Sequence, residues 1–136
     1  MINYSTKKLG EVYKKGDILE GADRRPQAAR HYIIFLEPHH SGDFICAMLT
    51  SKDTYSNNIL VNTGYIREIA DDGTKFKFQF NNTHFVKGRF IKLGSWGPFT
   101  KIGELTKEGI DFVDSETKDL EPELWDDYLE RMRKKI

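Results

Sequence analysis

Two uninterrupted apolar runs stand out from an otherwise polar chain. His31–Leu36 (HYIIFL) and Phe44–Leu49 (FICAML) flank Glu37–Asp43, a spacer holding Pro38, Ser41, Gly42 and Asp43. β-Branched and aromatic residues on either side of a turn-prone spacer predict two strands joined as a hairpin. Neither run alternates apolar with polar positions, so both strands are expected to be buried on both faces. Arg30 enters the first strand, and Thr50, Ser51 and Lys52 leave the second. In an antiparallel pair the entry of one strand lies beside the exit of the other. A guanidinium and two hydroxyls are therefore expected at one end of a rigid core.

The remaining pattern is of shorter pulses. Asp17–Leu19 begins a strand after the turn residues Lys14-Lys15-Gly16, and Gly21–Ala29 is a basic loop carrying Arg24 and Arg25. Ile59–Val61 reads as a short strand, and Gly64–Ile69 offers another before the turn signal Asp71-Asp72-Gly73. Phe76, Phe78 and Phe80 alternate with Lys75, Lys77 and Gln79, which predicts a strand with an aromatic face toward the core. His84–Val86 opens a further strand. Phe99–Leu105 and Ile110–Val113 read as a last strand pair around Lys107-Glu108-Gly109. Leu124, Trp125, Tyr128, Leu129 and Met132 then recur at helical spacing, predicting a terminal amphipathic helix over about 120–135 with Pro122 in its first turn. Arg131, Arg133, Lys134 and Lys135 place positive charge where the helix dipole favours it. Many short strands, Gly-containing turns and one late helix predict a mainly β chain with a C-terminal helix, folded as a small half-open β-barrel.

Composition narrows the function classes. A chain of 136 residues fits one domain. Its 21 Lys and Arg balance 21 Asp and Glu, so no global field draws it to nucleic acid, and any such site must come from local clustering. The single Cys46 excludes an internal disulfide and a cysteine zinc cluster. The first ten residues, MINYSTKKLG, lack the apolar core of a signal peptide, and no apolar run approaches membrane-spanning length. The expected setting is cytoplasmic, away from membranes, and no motif calls for a cofactor.

Arg30, Thr50 and Ser51 are the leading constellation for chemistry. The planar donor fork of arginine matches phosphate oxygens, and a hydroxyl on the neighbouring strand end can add a bond to the same group. Together they can hold a phosphodiester and stabilise charge as it develops. A plain hairpin whose ends reach water would also finish in polar residues.

The order Gly16-Asp17-Ile18, a basic Gly-containing loop, Arg30 before an apolar strand, and then ICAMLTS resembles the toxins of the MazF/PemK (Kid) family. The likeness covers roughly Lys15 to Ser51. It implies an SH3-like barrel, usually dimeric, that cleaves single-stranded RNA without a metal and is blocked by a cognate antitoxin. The catalytic arginine of the family falls on Arg30 and its catalytic threonine on Thr50. RNA would lie across these two with Ser51, Lys52, Arg24, Arg25, His39 and His40. The family arginine is normally followed by proline, and here His31 follows Arg30. The Arg25-Pro26 pair leaves Arg25 as the alternative.

Arginine is essentially never deprotonated in proteins, so it cannot serve as a base. A histidine from His31, His39, His40 or His84 could handle protons instead. His39-His40 would serve if its loop folds over the site, although a hairpin places that loop at the far end from Arg30. Adjacent histidines share no strand or helix face, and no acidic or histidine cluster at ligand spacing accompanies them, so no metal site is expected. The competing reading is a non-catalytic SH3-like barrel that binds protein or nucleic acid.

Overall fold

The computed structural model describes residues 13–21, 31–40, 42–50, 58–78, 83–93 and 99–133. The hairpin forms between β2 (His31–Pro38) and β3 (Phe44–Thr50), in antiparallel register from Tyr32 opposite Leu49 to Pro38 opposite Phe44. The register shifts between Phe35 and Glu37. Both strands are buried on both faces. Ile33, Phe35, Phe44, Cys46 and Met48 join one core with Phe90, Tyr128 and Met132. Ile34, Leu36, Ile45 and Ala47 join a second core with Phe85, Ile102 and Val113. Each fully buried side chain of this size contributes about 1.5–3 kcal/mol, which is why the hairpin anchors the sheet.

The other strands assemble around it. β1 (Asp17–Gly21) pairs with β2 on one edge and with β7 (Phe99–Glu104) on the other. The far edge of β3 is shared: β6 (Arg89–Lys92) pairs with Phe44–Cys46, and β5 (His84–Val86) pairs with Leu49 and Thr50. β4 (Asn58–Leu60) adds to β5, and β8 (Pro122–Glu123) runs parallel to β6. The sheet order is β4-β5-β3-β2-β1-β7, with no pairing between β4 and β7 among the described residues. The result is the expected mainly β, half-open barrel. Gly16, at φ +95°, makes the turn into β1 and ties it in place. Its N–H donates to the Phe35 carbonyl, and its carbonyl accepts from the Leu105 N–H.

Among the described residues two α-helices close the faces. α1 (Lys107–Thr117) covers the second core with Val113, Ile110 and Phe112. α2 (Trp125–Arg133) covers the first with Tyr128, Met132, Trp125 and Leu129. Tyr128 packs edge-on against Phe90, with ring centroids 5.2 Å apart, and stacks on Trp125 at 5.3 Å.

Four sequence expectations are corrected here. Gly64–Ile69 is not a strand: Thr63–Tyr65 forms a 3-10 turn capped by Asn62, and Ile66 and Ile69 make isolated bridges to Leu105 and Lys75. Ile110–Val113 is helix rather than strand. Thr106 adopts an extended conformation and its hydroxyl accepts the Gly109 N–H at 3.1 Å, which caps α1. A Cβ on Gly109 would lie 2.4 Å from the Tyr65 carbonyl oxygen, so glycine is required for the helix to approach that turn. The short apolar run could not distinguish the two periods. Pro122 lies in β8 rather than in a first helical turn, because Pro122 and Glu123 pair with Arg89 and Phe90 before the helix begins at Trp125. Leu124 is consequently 40 % exposed rather than part of the buried stripe. Phe76 and Phe78 do not belong to a continuous strand. Lys75 makes one isolated bridge to Ile69, and the Phe78 N–H donates to the Ile102 carbonyl. Both rings are half-buried, and Phe80 lies outside the described residues.

Candidate functional site

Strand register brings one row of residues to a common end of the sheet. Leu60 pairs with His84 and His84 with Thr50, while on the other side of the hairpin His31 pairs with Gly21 and Gly21 with Phe99. β2 therefore begins, directly after Arg30, at the same end where β3 finishes in Thr50. Arg30 itself lies outside the described residues, as do Arg24, Arg25, Ser51 and Lys52.

Thr50 and His84 stand on one face. Thr50 follows Cys46 and Met48 at even spacing, and His84 precedes Val86 by two; those three neighbours belong to the core under α2. Directly opposed residues on paired strands hold their Cβ atoms about 4.5–5.5 Å apart. Both residues are half-buried. The Nδ1 atom of His84 is buried and has no hydrogen-bond partner among the described residues. The structure thus joins Thr50 to a histidine 34 positions away, a pairing that sequence could not show because it depends on β5 taking the upper half of the β3 edge.

His39 and His40 are at the other end of the hairpin. The His39 N–H donates to the Asp43 carbonyl and the Asp43 N–H to the His40 carbonyl, both at 2.8 Å, and the two rings lie 4.2 Å apart. An eight-residue strand separates them from the Thr50 end, about 26 Å at the usual rise per residue. The fold does not bring them to Thr50. Among the described residues no group of three or more His, Cys, Asp or Glu could hold a metal ion. Among the same residues no helix is long and apolar enough to cross a membrane.

A second polar constellation was not visible in the sequence. Asp17 and Glu104 pair across β1 and β7 and are 2 % and 6 % exposed. Lys101 Nζ lies 3.1 Å from Asp17 Oδ1 and 2.8 Å from Glu104 Oε2. Arg67 donates to Glu104 Oε1 and also reaches Asp71 at 2.8 Å. The Lys14 N–H donates to Asp17 Oδ2 at 3.0 Å. Every acid here meets a cation, so the cluster locks the β1–β7 edge and offers no reactive group. Burial would raise the Glu104 pKa, but the Lys101 hydrogen bond and the charges of Lys101, Lys14 and Arg67 bring it below its ordinary value. A carboxylate with a lowered folded pKa adds stability above its unfolded pKa of about 4.3 and loses it as pH falls through the folded value. Thermal unfolding of the chain and of Glu104→Gln should therefore differ most near neutral pH, with the gap narrowing on acidification.

Cys46 is fully buried, and burial pushes its thiol up to about 12 against the opposing pull of Lys92. It should not react with a thiol reagent until the chain is unfolded in denaturant. Comparison with family models, with curated proteins and with solved structures returns no match for this chain.

Proposed function

We propose that this chain is a metal-independent endoribonuclease acting on single-stranded RNA, as its resemblance to the MazF/PemK toxins implies. The observation that supports it is the strand register: the chain enters β2 directly after Arg30 at the end of the sheet where Thr50 is set beside His84. In this reading the Arg30 guanidinium holds a phosphate oxygen and the Thr50 hydroxyl donates to the same phosphate. The adjacent 2′-oxygen attacks phosphorus as its proton passes to solvent water. The O2′–P bond forms, the P–O5′ bond breaks, and the 5′-oxygen takes up a proton from water. The products are a 2′,3′-cyclic phosphate and a 5′-hydroxyl. Arg24, Arg25, Ser51 and Lys52 follow the flanking backbone. His39 and His40, at the opposite end of the hairpin, take no part in the cleaving step. The setting is cytoplasmic, the active form a homodimer, and the partner a cognate antitoxin protein.

The test is incubation of purified chain with single-stranded RNA in EDTA, followed by analysis of the new ends. Cleavage to 5′-hydroxyl ends in EDTA is expected. RNA that is bound but left intact, with or without magnesium, would replace this reading with a non-catalytic binding barrel.

A further inference from the structure

The alternation of phenylalanine and lysine at residues 75–78 builds no continuous strand, yet the fold gives its rings neighbours. Tyr32 is 38 % exposed. Its backbone is paired on both sides, to Glu20 of β1 and Leu49 of β3, so the part that meets water is its side chain. Phe78 is edge-on to Tyr32, with ring centroids 5.9 Å apart, and its N–H holds the segment to β7 at the Ile102 carbonyl. Phe76, two residues earlier, lies under Lys101, whose Nζ is 6.0 Å from the ring centroid. Phe76 and Phe78 are both half-buried. The charges around these rings are layered. Asp17, Glu20 and Glu104 are buried, and the cations paired with them stand on the water side: Lys77 lies 3.5 Å from Glu20, and their side chains are 69 % and 9 % exposed. Lys14 and Lys101 cover Glu104 and Asp17 in the same way. The pairs nearly cancel in formal charge, but ammonium groups are what an approaching ligand meets. Glu68, Asp71 and Asp72 are exposed around Arg67 and limit this cationic run to the Lys77–Lys101 side.

We infer that this strip binds a single-stranded RNA segment running on from the Thr50 end, with bases stacked on Tyr32 and Phe78 and phosphates held by Lys77 and Lys101. The choice of RNA over DNA rests on the nuclease reading. Tyr32 lies opposite Leu49, the residue before Thr50, so the strip begins at the same end of the sheet. Paired residues share a face and successive residues alternate, so Tyr32 is on the face of Ile34 and Leu49 and Thr50 is on the other. A nucleic acid that touches both turns a corner at the end of β2 and β3. A single strand is flexible enough for that, whereas a duplex is stiff over about 150 base pairs. Stacking also takes bases that are free of a partner strand. Partly exposed rings among outward ammonium groups are the combination that proteins use to hold such strands. An acidic peptide would use the lysines and leave the rings idle. The strip makes and breaks no bond; it positions the nucleotides that flank the cleaved one.

Fluorescence anisotropy of a labelled 2′-O-methyl RNA strand with the full chain tests this. The methyl group removes the attacking hydroxyl, so binding is read without cleavage. Tyr32→Ala should weaken binding about 5- to 150-fold, the usual effect of losing one stacking ring. Tyr32→Phe, which keeps the ring, should bind like the parent. Lys77→Gln should make binding less steeply dependent on salt, by about 0.7 in the log–log slope. Thermal unfolding of each variant shows that the fold is kept, and the salt slope of Lys77→Gln decides the matter if Tyr32→Ala does not fold. Binding by Tyr32→Ala equal to the parent, or an unchanged salt slope in Lys77→Gln, would overturn the inference. So would a duplex bound as tightly as the single strand, a DNA strand of the same sequence bound more tightly than the RNA, or an oligoglutamate peptide that displaces the RNA equally from the parent and from Tyr32→Ala. A parent that binds the methylated strand at Tyr32 but leaves ordinary RNA intact sinks the nuclease reading and keeps the strip. A parent that cleaves RNA while Tyr32→Ala binds normally sinks the strip alone.

Discussion

If the chain cleaves RNA as proposed, Thr50→Val is expected to slow cleavage about 10²–10³-fold and to leave the fold intact, the effect of removing one preorganised donor from a developing oxyanion. Valine keeps the branched shape that suits the end of β3, so its pairing with His84 across the β3–β5 ladder should survive. What is lost is the hydroxyl alone. Single-turnover rates at saturating protein separate this from weaker binding, since an interaction made only in the transition state lowers the rate constant and not the affinity. An equal loss in RNA binding and in rate would instead place Thr50 among ground-state contacts.

The largest effect on stability is expected at the opposite side of the same core. Tyr128→Ala should cost about 3–5 kcal/mol, in line with truncating other buried aromatic side chains. Tyr128 is 1 % exposed and contacts Phe90 and Trp125 through their rings, and Arg131 lies 5.4 Å from its ring centroid. Its loss would open a cavity between α2 and the sheet, against a total stability of about 5–15 kcal/mol for a domain of this kind. The midpoint of urea unfolding reads this directly. Leu124→Ala, one turn earlier and 40 % exposed, is the control and should shift the midpoint little. Because Met48 and Val86 belong to the core that Tyr128 completes, the truncation should also loosen the support of Thr50 and His84.

The hairpin could be read from the sequence because its signal is local and redundant. IIFL and FICAML are apolar at every position, and both strands turn out to carry a core on each side. The terminal helix was legible for the same reason, through Trp125, Tyr128, Leu129 and Met132 at 3.6-residue spacing. α1 was not, because Ile110, Phe112 and Val113 in a short span fit a strand as well as a helix, and the cap that decides it, Thr106 on Gly109, is a polar signal weaker than the apolar one. Phe76 and Phe78 show the converse failure. A clean alternation followed the strand rule, yet the Phe76 N–H donates to the Glu68 carbonyl and the Phe78 N–H to Ile102, so among the described residues the two do not extend one ladder.

The site was half legible. Strand direction placed the end of β3 beside the start of β2, and the β2–β3 register shows Thr50 at that end; Arg30 lies outside the described residues. His84 could be placed on a strand but not beside Thr50, since β5 and β6 divide one edge of β3 between them, a choice made by tertiary packing. The Asp17–Lys101–Glu104 cluster was invisible for a related reason. Its members look like ordinary surface charges until β1 and β7 pair and exclude water from them.

The central claim is that residues 30 and 50 act on one phosphate, and a double-mutant cycle on RNA cleavage measures that most directly. Arg30→Ala and Thr50→Val should each slow the single-turnover rate about 10²–10³-fold. Together they should be little slower than the more damaging of the two, because groups that act as a unit are not additive. A double variant whose loss equals the product of the single losses, or single variants that cleave like the parent, would contradict the account.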